Sequence, residues 1–157
     1  MIVLHESVFV RAGAMVKGKN NPGVTLIELM IVLALAGIMA LIAAPNFQAY
    51  MTKNRLSGAA RLVMTDLMYA RGLAASENVT FTVDFTGNSY SIIRTDTSAV
   101  NRSRNIQDAY VDVSMSSNRD FVFQTNGTVA SSGTVTLTNP SGTRRVIVSM
   151  VGRARIE

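Results

Sequence analysis

From Val24 to Ala44 the chain runs 21 residues with one charged side chain, Glu28, and one other polar one, Thr25. Leu, Ile, Ala, Met and Val fill nearly all the rest, so the segment is apolar on every side rather than striped. A helix of that length rises about 30 Å, which matches the hydrocarbon core of a bilayer. Such a helix needs lipid or other helices around it and cannot sit as a surface helix on a water-soluble domain. Pro45 follows at once and removes a helical hydrogen bond, so a bend is expected there. The feature left over is Glu28, since a carboxylate in hydrocarbon costs a few kcal/mol on insertion scales unless it is paired or near the interface.

Beyond Pro45 the chain has 112 residues (157 − 45), enough for one modest core. It has no cysteine, so the domain must hold by packing alone, without disulfides or a thiolate metal site. The formal charge of +5 is unevenly placed. Arg11, Lys17 and Lys19 precede Gly23, whereas Arg144, Arg145, Arg153 and Arg155 crowd the end against a single Glu157. Positive charge just before the apolar run favours a cytoplasmic N-terminus. The basic balance points to acidic partners, either lipid head groups or nucleic acid.

Gly23 followed by Val24-Thr25-Leu26-Ile27-Glu28-Leu29 resembles the class III signal of type IV pilins and type II secretion pseudopilins. The resemblance implies a leader over residues 1–23, cut after Gly23 on the cytoplasmic side by a prepilin peptidase that then N-methylates Val24. Those families usually have Phe where this chain has Val24. A start at Met15 would give a nine-residue basic leader, the usual kind, and is the expected true start. The resemblance further implies that Glu28 pairs with the Val24 ammonium of a neighbouring subunit and so sets the register of assembly. The bland alternatives are an anchor that is never cut and a Glu28 that sits solvated at the interface.

Residues 46–76 keep a helical period but become amphipathic. Leu56, Ala59 or Ala60, Val63, Leu67, Ala70 and Ala74 recur every three to four residues, with Lys53, Arg55, Arg61, Asp66 and Arg71 on the other faces. After Glu77 the period becomes two. Val79–Phe85 and Tyr90–Ile93 flank a Thr86-Gly87-Asn88-Ser89 turn and read as a hairpin, residues 95–109 as a polar loop, and Tyr110–Val113 as a weak strand. Phe121–Phe123, Thr134–Thr138 and Arg144–Val148 are firmer strands, the last two joined by Asn139-Pro140-Ser141-Gly142. The expected fold class is therefore α+β: a long N-terminal helix, transmembrane in its first half, packed on a C-terminal antiparallel sheet. The expected boundaries are a leader at 1–23, a transmembrane or filament-core helix at 24–45, an amphipathic helix at 46–76 and a β-rich domain at 77–157. This layout is that of type IV pilins. Asp66, Ala70, Arg71 and Ala74-Ala75-Ser76 resemble the FimT/GspH family of minor pilins and minor pseudopilins, as do Phe123-Gln124-Thr125-Asn126-Gly127-Thr128 and the closing Val148–Ile156.

His5, the only histidine, lies in the expected leader, so the remaining chain has neither His nor Cys. Histidine-based triads, thiol nucleophiles and the common zinc sets are thereby excluded. Phosphate loops and calcium-loop spacings are also missing, so no enzyme activity, metal or cofactor is expected. What remains is the arginine-rich end. Arg144 and Arg145 are neighbours on a strand and must point to opposite faces, whereas Arg153 and Arg155 alternate and share a side. Guanidinium forks match phosphate oxygens, so such a row can track a nucleic-acid backbone without reading sequence. Gly152-Arg153-Ala154-Arg155 resembles the Gly-Arg-x-Arg tail by which FimT-type minor pilins grip double-stranded DNA in natural transformation. The same charges would serve as a solvated strand edge or as docking charges for acidic neighbours. The resemblance implies a single-pass protein of the bacterial inner membrane with a periplasmic domain, later built into a pilus beside other pilin subunits. The alternative is a GspH-like pseudopilin of a type II secretion system.

Overall fold

A computed structural model describes residues 23–157. The expectations for the leader and for a start at Met15 fall on residues 1–22 and lie outside the described residues. The chain divides after Met39, and the two parts are taken separately.

Helix α1 runs from Leu26 to Glu77. Its start is set by Thr25, whose Oγ1 accepts from the Glu28 N–H at 3.3 Å while its carbonyl accepts from the Leu29 N–H at 3.2 Å. Thr25 and Glu28 thus stand at the two ends of a Thr-x-x-Glu capping pattern, with the carboxylate in the first turn where the helix dipole favours it. Every side chain from Val24 to Met39 is exposed. No single helix among the described residues is long and apolar enough to cross a membrane, and Leu26–Leu41 passes that test only together with Asn46–Glu77. The reason is a break between Leu41 and Asn46, which leaves 16 residues and a rise of about 24 Å before it, short of a hydrocarbon core of about 30 Å.

From Ala40 onward the helix belongs to the β-rich part. Leu56, Ala59, Ala60, Val63, Leu67, Ala70 and Ala74 form its buried face, at the three-to-four spacing expected. Four alanines in this stripe let the sheets approach the backbone closely. Gly58 serves the same end, since a Cβ there would lie 2.8 Å from the Tyr110 hydroxyl.

The strands are β1 (Phe81–Thr86), β2 (Ser89–Arg94), β3 (Val100–Asn105), β4 (Ser114–Ser117), β5 (Phe121–Phe123), β6 (Gly133–Asn139), β7 (Gly142–Val148) and β8 (Ala154–Ile156), with a short helix α2 (Ile106–Ala109) after β3. They form two four-stranded antiparallel sheets, ordered β3-β2-β1-β5 and β4-β6-β7-β8, where one sheet had been expected. Phe81, Phe121, Phe123, Val83 and Ile92 of the first sheet and Val135, Leu137, Val146 and Val148 of the second share one core with α1.

Three local expectations are corrected. The polar stretch 95–109 contains β3 and α2, and the strand expected at Tyr110–Val113 is a turn that leads into β4. Asp66, expected on an outer face with the other charged residues, is buried at 2% exposure. The first and last have one cause. Strand β3 has no buried residue and so no apolar alternation to read. It is attached through charge: Arg102 Nη1 and Arg104 Nε reach the two Asp66 oxygens at 2.6 and 2.7 Å. Tyr90 Oη donates to the same carboxylate at 2.6 Å, and the Arg102 guanidinium also stacks 4.1 Å from the Tyr69 ring centre. Buried carboxylates persist only with such partners.

Burial, then the hydrogen bond to Asp66, raise the Tyr90 hydroxyl far above its ordinary value of 10.0. In the unfolded chain the phenol ionises near that ordinary value, so above about pH 10 the unfolded state binds fewer protons than the folded one and stability falls as pH rises. Urea unfolding across an alkaline pH series is expected to show that decline, and Tyr90→Phe should flatten it while lowering neutral stability by about 1 kcal/mol.

Candidate functional site

At the N-terminal end Gly23, Val24 and Thr25 precede the helix in non-helical backbone. Val24 is 74% exposed, and nothing lies within 4 Å of the position a Cβ would take on Gly23. Glu28 is exposed in the first turn and has no cationic partner among the described residues.

At the other end the four arginines are sorted by strand register. Strands β7 and β8 pair with Ile147 opposite Arg155 and Val148 opposite Ala154. Arg145 and Glu157 continue this ladder, exchanging backbone hydrogen bonds of 2.9 and 2.8 Å. Val146 and Val148 face the core, so Arg145 and Ile147 face away from it, and Arg153 and Arg155 join them. Arg144 points the other way, into a notch it shares with Ser57, Arg61 and Ile156. The outer face therefore gathers Arg145, Arg153 and Arg155, and Arg144 is apart from them.

Between Arg153 and Arg155 lies a shallow trough of about 360 Å³, lined also by Ile147, Ser149 and Val151. Arg155 Nη2 contacts Glu157 Oε1 at 2.8 Å, with Arg155 62% exposed. An ion pair this open contributes little and yields readily to a competing anion. Arg145 and Arg153 have no carboxylate within salt-bridge distance among the described residues. Sequence reasoning missed the apolar lining, although the alternation Ile147, Ser149, Val151 was there to place those residues on the face of Arg145.

It also missed what aims this strand. The Arg71 Nε donates to the Gly127 carbonyl at 2.8 Å, from helix to loop. Gly152, at φ +76°, packs on that same carbonyl, and a Cβ added to it would collide with the oxygen. The loop is stiffened from within, because Asn126 Oδ1 accepts from both the N–H and the hydroxyl of Thr128. The Val129 N–H donates to the Met150 carbonyl at 2.9 Å and ties the loop to the turn before β8. Gly152 is thus the pivot from which Arg153 and Arg155 project.

A long N-terminal helix followed by antiparallel sheets is the architecture of type IV pilin-like subunits, and comparison with known proteins agrees. The crystal structure of the type IV minor pilin FimU of Pseudomonas aeruginosa matches at 21% identity and a TM-score of 0.58, over 69% of this chain and 92% of that one. The minor pseudopilin EpsH of the Vibrio cholerae type 2 secretion system matches at 11% identity and a TM-score of 0.55, over 66% and 96%. No curated protein matches the chain. A model of the prokaryotic N-terminal methylation motif matches residues 18–44, the kind of N-terminus that anchors pilins in a membrane. The model of the type II transport protein GspH matches residues 59–152, and the chain belongs to that family of minor pilins and pseudopilins.

Gly152→Ala forces both a left-handed backbone and a steric clash on a side chain. It is expected to lower stability by about 2 kcal/mol in urea unfolding and to broaden the amide signals of residues 125–128 and 150–155 in NMR spectra.

Proposed function

We propose that this chain is a FimT-like minor type IV pilin that binds double-stranded DNA through Arg145, Arg153 and Arg155. Its work is assembly and capture, not catalysis. A prepilin peptidase cuts after Gly23 and N-methylates Val24. The helix over residues 24–45 holds the protein in the bacterial inner membrane with its β-rich domain in the periplasm, and then joins the core of a filament. There Glu28 pairs with the Val24 ammonium of a neighbouring pilin subunit, and the helix dipole already favours its charge where it stands. The observation that carries the DNA reading is the trough: two guanidiniums flank a floor of Ile147 and Val151, and a third stands on the same face. Guanidiniums meet phosphates while the apolar floor takes the sugar faces, a mode indifferent to sequence. A second reading, a pseudopilin of a type II secretion machine, is favoured by the match of residues 59–152 to the type II transport protein GspH.

Two measurements test this. Full-length protein in uncharged detergent is titrated with duplex DNA across a salt series. Arg153→Gln with Arg155→Gln should weaken binding at least tenfold near 0.1 M salt and reduce the salt slope by about 1.8, and unchanged titrations would sink the DNA reading. Intact-mass measurement of membrane-extracted protein should give a species that begins at N-methylated Val24, and Glu28→Leu should leave that cut intact while lowering incorporation into filaments. An uncut mass would point to a plain anchor.

A further inference from the structure

Strand β8 is the last strand of its sheet and leaves one edge open. Because Arg145 and Glu157 exchange both backbone bonds, antiparallel alternation gives Ile147 and Arg155 the same arrangement and turns the N–H groups of Ala154 and Ile156 out to that edge. On one side of the edge stand Arg153 and Arg155. On the other side is the notch of Arg144, Arg61, Ser57 and Ile156, about 230 Å³ in volume. Arg61 and Arg144 have no carboxylate within salt-bridge distance among the described residues. The edge is therefore a row of outward backbone N–H and C=O groups with guanidiniums on both flanks.

We infer that this edge, rather than the outer face alone, is what enters DNA, seated in the major groove so that Arg153 and Arg155 contact one phosphate strand while Arg61 and Arg144 contact the other. The inference rests on the DNA reading above and adds Arg61, a helix residue, to the site. The major groove of B-DNA is about 12 Å wide and admits a two-stranded β-ribbon, which is what β7 and β8 form at this edge. The outward N–H groups of Ala154 and Ile156 are donors of the kind that hold phosphate oxygens or base edges. Two cationic flanks facing away from each other cannot both follow one strand, so the arrangement selects duplex over single-stranded DNA. It also gives Arg144 a role that the outer face denies it.

The test uses full-length protein in uncharged detergent, a short DNA duplex and one of its single strands, each titrated across a salt series. Arg61→Gln with Arg144→Gln should weaken duplex binding at least tenfold near 0.1 M salt, with a slope lower by about 1.8, and change single-strand binding less than about twofold. Arg61→Gln alone, at an exposed position, should lower the duplex slope by about 0.9, and it carries the test should the double variant unfold. Arg119→Gln, an equal charge change beyond the opposite edge strand β4, should leave the slope as it was. An unchanged duplex slope in the Arg61 variants, with binding lost on removal of Arg153 and Arg155, would overturn the edge and keep the outer face. Equal losses on duplex and single strand would overturn the straddling geometry. Absence of DNA binding by the wild type even at low salt would remove the DNA reading and this inference with it.

Discussion

The contact of the Arg71 guanidinium with the Gly127 carbonyl, covered by Gly152, joins three parts of the chain far apart in sequence. Helix α1 supplies the donor, the loop after β5 the acceptor, and the turn before β8 the lid. A buried carbonyl with a charged donor is well satisfied and costly to expose, so the junction fixes the turn relative to the helix. Everything the arginine face can do depends on that. With Gly152 held, Arg153 and Arg155 leave the turn in extended backbone and alternate onto one side. The same three segments carry the family resemblance, and their meeting point supplies its physical reason.

Charge rather than apolar surface holds the far edge of the first sheet. Arg102 and Arg104 bring β3 to Asp66, a carboxylate placed on the helix among alanines and Leu67. Replacing such a cluster by apolar residues of equal volume is often neutral for stability, so its value lies in register: two guanidiniums on one carboxylate fit only one alignment of β3 on β2. That alignment includes a shift between Ile92 and Ile93 that puts Asn101 within reach of the Tyr69 hydroxyl. The domain thus uses packing where the sequence is apolar and paired charge where it is not.

This division explains what could be read in advance. The apolar run, the amphipathic stripe from Leu56 to Ala74 and the alternating strands β1, β6 and β7 all express burial through periodicity, and periodicity is visible in one sequence. Strand β3 has nothing to bury, and the charge of Asp66 argues for solvent although the residue lies three after Val63 and four before Ala70, at the margin of the buried stripe, so neither is placed correctly by pattern alone. The split into two sheets is a matter of which strands pair, and no local pattern encodes that. In the candidate site the alternation of Arg153 and Arg155 was legible. The partition of Arg144 from Arg145 was legible as a fact but not in direction, because it takes Val146 and Val148 in the core to say which face is outer. The role of Gly152 was invisible, since its neighbour Gly127 is 25 residues away (152 − 127).

The capping of α1 by Thr25 bears on how the precursor could be handled. The peptide bond between Gly23 and Val24 lies before the first helical residue, and the first-turn donor on Glu28 is already met by the Thr25 hydroxyl. The proposed cut at that bond would therefore break no helical hydrogen bond among the described residues. The helix is then the same before and after the proposed cut, and the new amine would stand four residues before Glu28. In the pairing proposed above, the Glu28 of a neighbouring subunit would meet that amine. On that proposal, maturation would prepare the subunit for association without any change of fold.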